Sequence, residues 1–212
     1  GYFSSAFGDN TTHGVLKSGR AVCAGYCNLF VDLCTRMSVK AYKVSGKAKG
    51  LGFRVGQEQT LLNHAWVLVR CENKWQLIEP TWSAGSTLNA DKQFHAHFES
   101  YWFFTPPSIF VHDHLPNCDQ VQLLRLPLST SEFMALPKFD LKYFLVDLEC
   151  LSHRKATIVP KTTNSLKLEF RSLTHRDLQL IVTWYDEARS DVKLDGCVRV
   201  QKREQNEASS TS

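Results

Sequence analysis

GRAVCAGYCNLFVDLCTRM, residues 19–37, is the stretch whose reading decides the fold. From Ala21 to Met37 the apolar positions Cys23, Tyr26, Cys27, Phe30, Leu33, Cys34 and Met37 recur at intervals of three and four, the spacing of one face of an amphipathic helix. That face is expected to enter a core. Gly14, Ser18 and Gly19 supply turn chemistry upstream, so the helix is expected to begin close to Cys23. Cys23 then belongs to the first turn, whose N–H groups have no intrahelical carbonyl, at the end of the helix dipole that favours an anion.

Beyond this helix, Val39 to Lys49 reads as a strand ending among Gly46, Gly50 and Gly52, and Leu51 to Thr60 as a loop. Ala65 to Cys71 and Lys74 to Glu79 are rich in Val, Leu, Ile and Trp and flank the polar pair Glu72-Asn73, the pattern of a hairpin. A two-residue turn there sets Trp66 opposite Glu79 and makes His64 the diagonal neighbour of Glu79 on the same side of the sheet. Tyr101 to Phe104 reads as a further strand stopped by Pro106-Pro107, followed by a polar connection carrying His112, His114 and Pro116.

From Phe139 onward the texture changes to short runs of strand type: Tyr143 to Leu148, Ala156 to Val159, Leu166 to Phe170, Leu178 to Trp184 and Cys197 to Val200. Their regular spacing suggests a β-sandwich. In 212 residues this predicts two units, residues 1–128 and an immunoglobulin-like 138–204, with the boundary between Pro127 and Pro137 and a polar, disordered tail over 205–212.

Composition excludes several classes. With 43% hydrophobic and 22% charged residues the chain reads as an ordinary globular protein, and no apolar run approaches the roughly 20 residues of a membrane span. The net charge of +4 arises from 25 basic and 21 acidic residues without a clustered basic stripe, so nucleic acid is not expected as a partner. Seven cysteines, an odd number with Cys23, Cys27 and Cys34 crowded in one segment, point to reduced thiols in the cytoplasm rather than a disulfide framework. The chain opens on Gly1 without an initiator Met and is expected to be a fragment lacking its true N-terminus.

The chemistry centres on Cys23. A thiol is the best nucleophilic side chain near neutral pH, but its free pKa of about 8.5 leaves little thiolate unless a helix start or an imidazole lowers it. Cys23 is offered both, with His64 as base and Glu79 as the carboxylate that orients the imidazole and stabilises its charge, while the Cys23 backbone N–H would serve an oxyanion. Cys27 and Cys34 read as core packing. His95 with His97, and His112 with His114, could each set two imidazoles on one side of a strand, but no Cys or acidic partner stands at zinc spacing and no calcium loop is present. Neither metal nor other cofactor is expected.

Gly19-Arg20-Ala21-Val22-Cys23-Ala24-Gly25-Tyr26, Asn63-His64-Ala65-Trp66 and Glu79-Pro80-Thr81-Trp82 resemble the three motifs of transglutaminase-like proteins. Ser45-Gly46-Lys47-Ala48-Lys49-Gly50, the run Tyr101-Trp102-Phe103-Phe104-Thr105-Pro106-Pro107 and His114-Leu115-Pro116 narrow the resemblance to the animal kyphoscoliosis-peptidase family, which includes the hillarins. It covers Gly14 to Leu126 well and the β-rich remainder more loosely. The resemblance implies an α+β, papain-like transglutaminase-type core in which Cys23 is nucleophile, His64 base and Glu79 the third member. It also implies peptidase chemistry on proteins and an association with the cytoskeleton. The family usually carries Asp where this chain has Glu79, and one extra methylene displaces the carboxylate by more than an ångström. A slow or inactive site serving as a scaffold for cytoskeletal proteins is therefore the alternative expectation.

Overall fold

The structure, a computed structural model, describes residues 8–50, 53, 63–86, 94–139, 141–146, 148–157 and 168–172. The chain divides into a compact unit Gly1–Leu173 and a second unit Thr174–Ser212, which lies outside the described residues.

Helix α1, Thr12–Ser18, is capped by Thr11, whose hydroxyl accepts from the Gly14 N–H at 3.1 Å, and is closed by Gly19 at φ 63°. The glycine and serine content of this stretch suggested turns. Gly14 is instead helical and buried, and only glycine fits there, since a Cβ would lie 2.4 Å from the Asp9 side chain. Helix α2 runs Cys23–Arg36. Its buried stripe is narrower than the sequence pattern: Cys27 and Cys34 are buried, whereas Leu33 and Met37 are exposed. Cys27 and Cys34 fall nearly one above the other, and Leu33 stands about 120° away around the axis at ~100° per residue.

Strands β1 (Ala41–Ala48), β2 (Asn63–Cys71) and β3 (Lys74–Ile78) form an antiparallel sheet. Glu72 and Asn73 both take positive φ, 47° and 62°, as the two-residue hairpin turn of type I′ demands. The pairing Val67↔Ile78 is the register expected from that turn. Helix α3, Pro80–Ser83, follows at once. Strands β4 (Gly85–Ser86) and β5 (His95–Ala96) pair with each other. Ser100–Trp102 is a 3₁₀ turn, so the strand expected over Tyr101 to Phe104 is corrected to a single bridge between Phe103 and Ile78. Helix α4, Pro107–Phe110, leads into strand β6, His114–Pro116, which pairs with β1 through Ala48↔His114 and completes the order β3-β2-β1-β6.

The sheet separates two apolar layers, as side-chain alternation in β2 requires. Ala65, Val67 and Val69 join Cys27, Cys34, Ala41 and Ile78 on the α2 side, with Cys23 and Phe30 packed against them. Trp66 and Leu68 join Val44, Leu77, Trp102 and Phe110 on the other.

Helix α5, Thr130–Ala135, opens with a capping box between Ser129 and Glu132. The fully buried Lys49 donates to Phe133 O at 2.6 Å and Leu136 O at 2.8 Å, a cation on the last carbonyls of α5. Lys138 donates in turn to Lys49 O and Gly50 O. The stretch from Pro127 to Pro137 is thus tied to the end of β1 through Lys49. Helix α6, Leu141–Leu145, stands where a strand over Tyr143 to Leu148 was expected, and β7 (Leu148–Cys150) pairs with β8 (Phe170–Ser172). Ala156 and Thr157 are not in a strand, and the strands expected over Leu178 to Trp184 and Cys197 to Val200 lie outside the described residues. Among the described residues no helix is long and apolar enough to cross a membrane.

Candidate active site

Cys23 is the first helical residue of α2, and Val22 O accepts from the Gly25 N–H at 2.9 Å and the Tyr26 N–H at 3.2 Å. The entry of the chain is fixed by Asn10: its Oδ1 accepts from the Val22 N–H at 3.1 Å, and its carbonyl accepts from the Asn28 amide at 2.9 Å. Gly25 allows α1 to pack here, since a Cβ would lie 2.7 Å from Asn10 Oδ1 and 2.9 Å from Val15. The thiol is half-buried at the start of β2, where the His64 ring and the Ala65 N–H both act on it.

His64 faces the same side as Trp66, two residues on, and its ring lies between Trp66 at 6.4 Å and Trp82 at 5.5 Å. Its Nε2 meets Oε2 of Glu79 at 2.6 Å. With Nε2 so engaged, Nδ1 is the nitrogen left for Cys23. Glu79 has no exposed surface and caps α3: Oε1 accepts from the N–H groups of Thr81 at 2.8 Å and Trp82 at 3.2 Å. One carboxylate thus fixes a helix start with one oxygen and an imidazole with the other. The longer side chain reaches His64 despite the extra methylene, because the capping bonds hold it folded back.

Electrostatics follow the contacts. Burial raises the Cys23 pKa, but the hydrogen bond and charge of His64, with the Ala65 N–H, outweigh it and hold the thiol below its ordinary value. Burial lowers the His64 pKa, yet bonds to Cys23 and Glu79 carry it to about 10. Glu79 is held down at about 2, burial being overcome by the adjacent His114 and His64 imidazoles. Together these shift the pair toward a thiolate beside an imidazolium. Cys27, by contrast, is pushed far above the ordinary thiol range by burial. It stays a protonated core thiol.

His114 was not among the residues expected here. It is fully buried in β6, and its Nε2 lies 3.2 Å from the same Oε2 that His64 engages. His112 points elsewhere, with Nδ1 3.5 Å from Pro137 O, so these two histidines do not form a pair. His95 and His97 are exposed, and His97 Nδ1 lies 3.2 Å from His95 O. His64, Glu79 and His114 bring their ligand-type atoms within 4.8 Å of one another, the one such trio among the described residues. Two zinc ligands at about 2.0–2.1 Å from the ion stand more than 3 Å apart in tetrahedral geometry. The 2.6 Å contact is therefore that of a charge-assisted hydrogen bond, and the trio as built is a hydrogen-bonding array rather than a metal cage. The sequence signal that could have found His114 is its place in an otherwise apolar, fully buried strand, where a polar ring needs a reason to be.

No protein-family model matches the chain. Mouse kyphoscoliosis peptidase is 32% identical over 120 residues, 56% of this chain and 18% of that protein. The chain is similar to transglutaminase-like proteins of the kyphoscoliosis peptidase and hillarin kind. Hillarin of Drosophila melanogaster is 22% identical over 148 residues, 64% of this chain and 18% of hillarin. A LIM and transglutaminase domain protein of Caenorhabditis elegans is 20% identical over 181 residues, 80% of this chain and 25% of that protein. The matches thus span a quarter or less of the length of these relatives. The mixed helical and antiparallel-sheet fold agrees with an α+β domain of transglutaminase-like type.

Proposed function

We propose that this chain carries a cysteine-dependent acyl-transfer site on a papain-like transglutaminase-type core, with Cys23 as nucleophile, His64 as base and Glu79 as the carboxylate that orients His64. The observation that carries the reading is the unbroken chain of contacts from Cys23 to His64 to the fully buried Glu79. Cys23 attacks a peptide or glutaminyl carbonyl, the Cys23 N–H at the start of α2 donates to the oxyanion, and His64 returns its proton to the leaving amine, giving a thioester. Water then completes hydrolysis, with a protein as substrate. The family favours this peptidase outcome over transfer to a lysine amine. The support that Glu79 lent to an inactive scaffold weakens, because its carboxylate reaches His64 at 2.6 Å. By the same family reading we assign the chain to the cytoplasm, among cytoskeletal proteins, and the residues after 138 to an immunoglobulin-like region.

Alkylation of Cys23, followed peptide by peptide across pH, tests the reading. An activated thiolate reacts well below pH ~8.5, and a midpoint at that free-thiol value would remove the enzyme. Trapping of an acyl group on Cys23 from peptide substrates, absent in Cys23→Ala, separates chemistry from reactivity alone.

A further inference from the structure

His114 is not used by the acyl transfer proposed above, yet much of the far layer is built around it. Phe110 stacks on its ring at 4.2 Å, and Trp82 at 4.4 Å, Trp66 at 5.1 Å and Trp102 at 5.7 Å close the box. The ring is held from both sides of the chain, by Phe110 four residues before it and by the pairing of His114 with Ala48. Burying a polar ring in such a box costs free energy unless it has a partner. The polar groups it faces are Oε2 of Glu79, 3.2 Å from Nε2, and the Phe110 backbone, and neither ring nitrogen makes a well-formed hydrogen bond among the described residues.

The carboxylate explains why a second imidazole belongs there. Oε1 has two backbone donors, whereas Oε2 has His64, whose position must be kept for Cys23. We propose that His114 is a positioning residue: a neutral imidazole whose Nε2–H faces Oε2 of Glu79, keeps that buried carboxylate ionised, and holds it against His64. The inference rests on the acyl-transfer reading of Cys23, His64 and Glu79. An ionised carboxylate has no proton to give, so a bond to it requires the proton on Nε2 rather than on Nδ1, toward the Phe110 backbone. The titratable groups around Glu79 are Cys23, Cys27, His64 and His114, and only one imidazolium suits one carboxylate. Burial, opposed by Glu79, keeps His114 well below the ordinary imidazole range, while His64 takes the charge. His114→Phe keeps the aromatic box and removes the N–H; His114→Gln returns a donor.

Two measurements decide. Nitrogen-15 NMR of the imidazoles in the wild-type chain at neutral pH should show His114 neutral with its proton on Nε2; a proton on Nδ1, or on both nitrogens, overturns the assignment whether or not any variant folds. In chains whose tryptophan emission is native, His114→Phe should slow Cys23 alkylation at pH 7 about tenfold by moving the thiolate midpoint up, and His114→Gln should recover most of it. A His114→Phe profile superimposed on the wild type would overturn the positioning role. A wild-type midpoint at the free-thiol value would instead sink the acyl-transfer reading itself, leaving the NMR result to judge how His114 meets Glu79.

Discussion

Replacing Glu79 by Gln removes one charge and changes no shape, so its effect can be worked out atom by atom. The N–H groups of Thr81 and Trp82 require an acceptor, which fixes the amide oxygen at the Oε1 position and turns the amide NH₂ toward His64 and His114. His64 Nε2, now facing a donor, must accept. Its proton moves to Nδ1, the nitrogen that Cys23 needs bare when His64 acts as base. The charge-assisted bond of 2.6 Å is lost with it. Taking that bond at about 2 kcal/mol, and tenfold per 1.4 kcal/mol, the thiolate–imidazolium pair falls roughly 30-fold at neutral pH. Alkylation with a haloacetamide, read on the Cys23 peptide with exposed Cys118 as internal comparison, measures this directly. Glu79→Asp keeps the charge and the cap but draws the carboxylate back by roughly one C–C bond, 1.5 Å, and its profile should fall between the two. Superimposable profiles for Glu79→Gln and the wild type, in natively folded protein, would refute the coupling of Glu79 to Cys23.

Acid should weaken the fold in two stages. His114 has a lowered pKa, near 4 against 6.5, so the unfolded chain takes up a proton first and stability declines as pH falls from about 6.5 to 4. Glu79, lowered from 4.5 to about 2, contributes stability above pH 4.5 that is lost as pH falls through its folded value. Urea midpoints at pH 7, 5.5 and 4 should fall in that order, a flat series excluding the His114 contribution, and a further fall between pH 4 and 2 tests Glu79. His64, raised from 6.5 to about 10, acts oppositely, and its contribution is lost as pH climbs toward 10. Gly46→Ala should destabilise by about 1–3 kcal/mol, because a Cβ there meets Leu115 O at 2.2 Å and Trp66 at 2.4 Å between β1 and β6, and an unchanged urea midpoint would show those strands to be looser than drawn.

What could be read from sequence and what could not differ by the range of the interactions involved. The hairpin was legible because a two-residue Glu72-Asn73 turn fixes every pair in β2 and β3, including the diagonal that brings His64 to Glu79. Cys23 was legible because a helix start is a local event. The 3₁₀ turn over Ser100–Trp102 was not, since aromatic residues carry a strand preference that packing of Trp102 in the far layer overrides. The capping box at Ser129 and Glu132 was visible as a motif, but a serine-rich stretch between prolines reads more readily as a linker. The apolar setting of His114 marks it locally, but its partner does not show in the sequence, because meeting Glu79 depends on β6 crossing to the edge of β1.

That crossing has a kinetic meaning. The hairpin of β2 and β3 closes over two residues and α2 forms within itself, so Cys23, His64 and Glu79 can gather early from nearby chain. Strand β6 must instead find an edge more than sixty residues behind it, Ala48 for His114, and the cost of closing that loop is met before any pairing rewards it. Docking of β6 is then expected to be a late step in assembly. A chain caught just before it would hold a formed hairpin whose Glu79 still has one side open to water, and the site would finish maturing only when this last strand comes to rest.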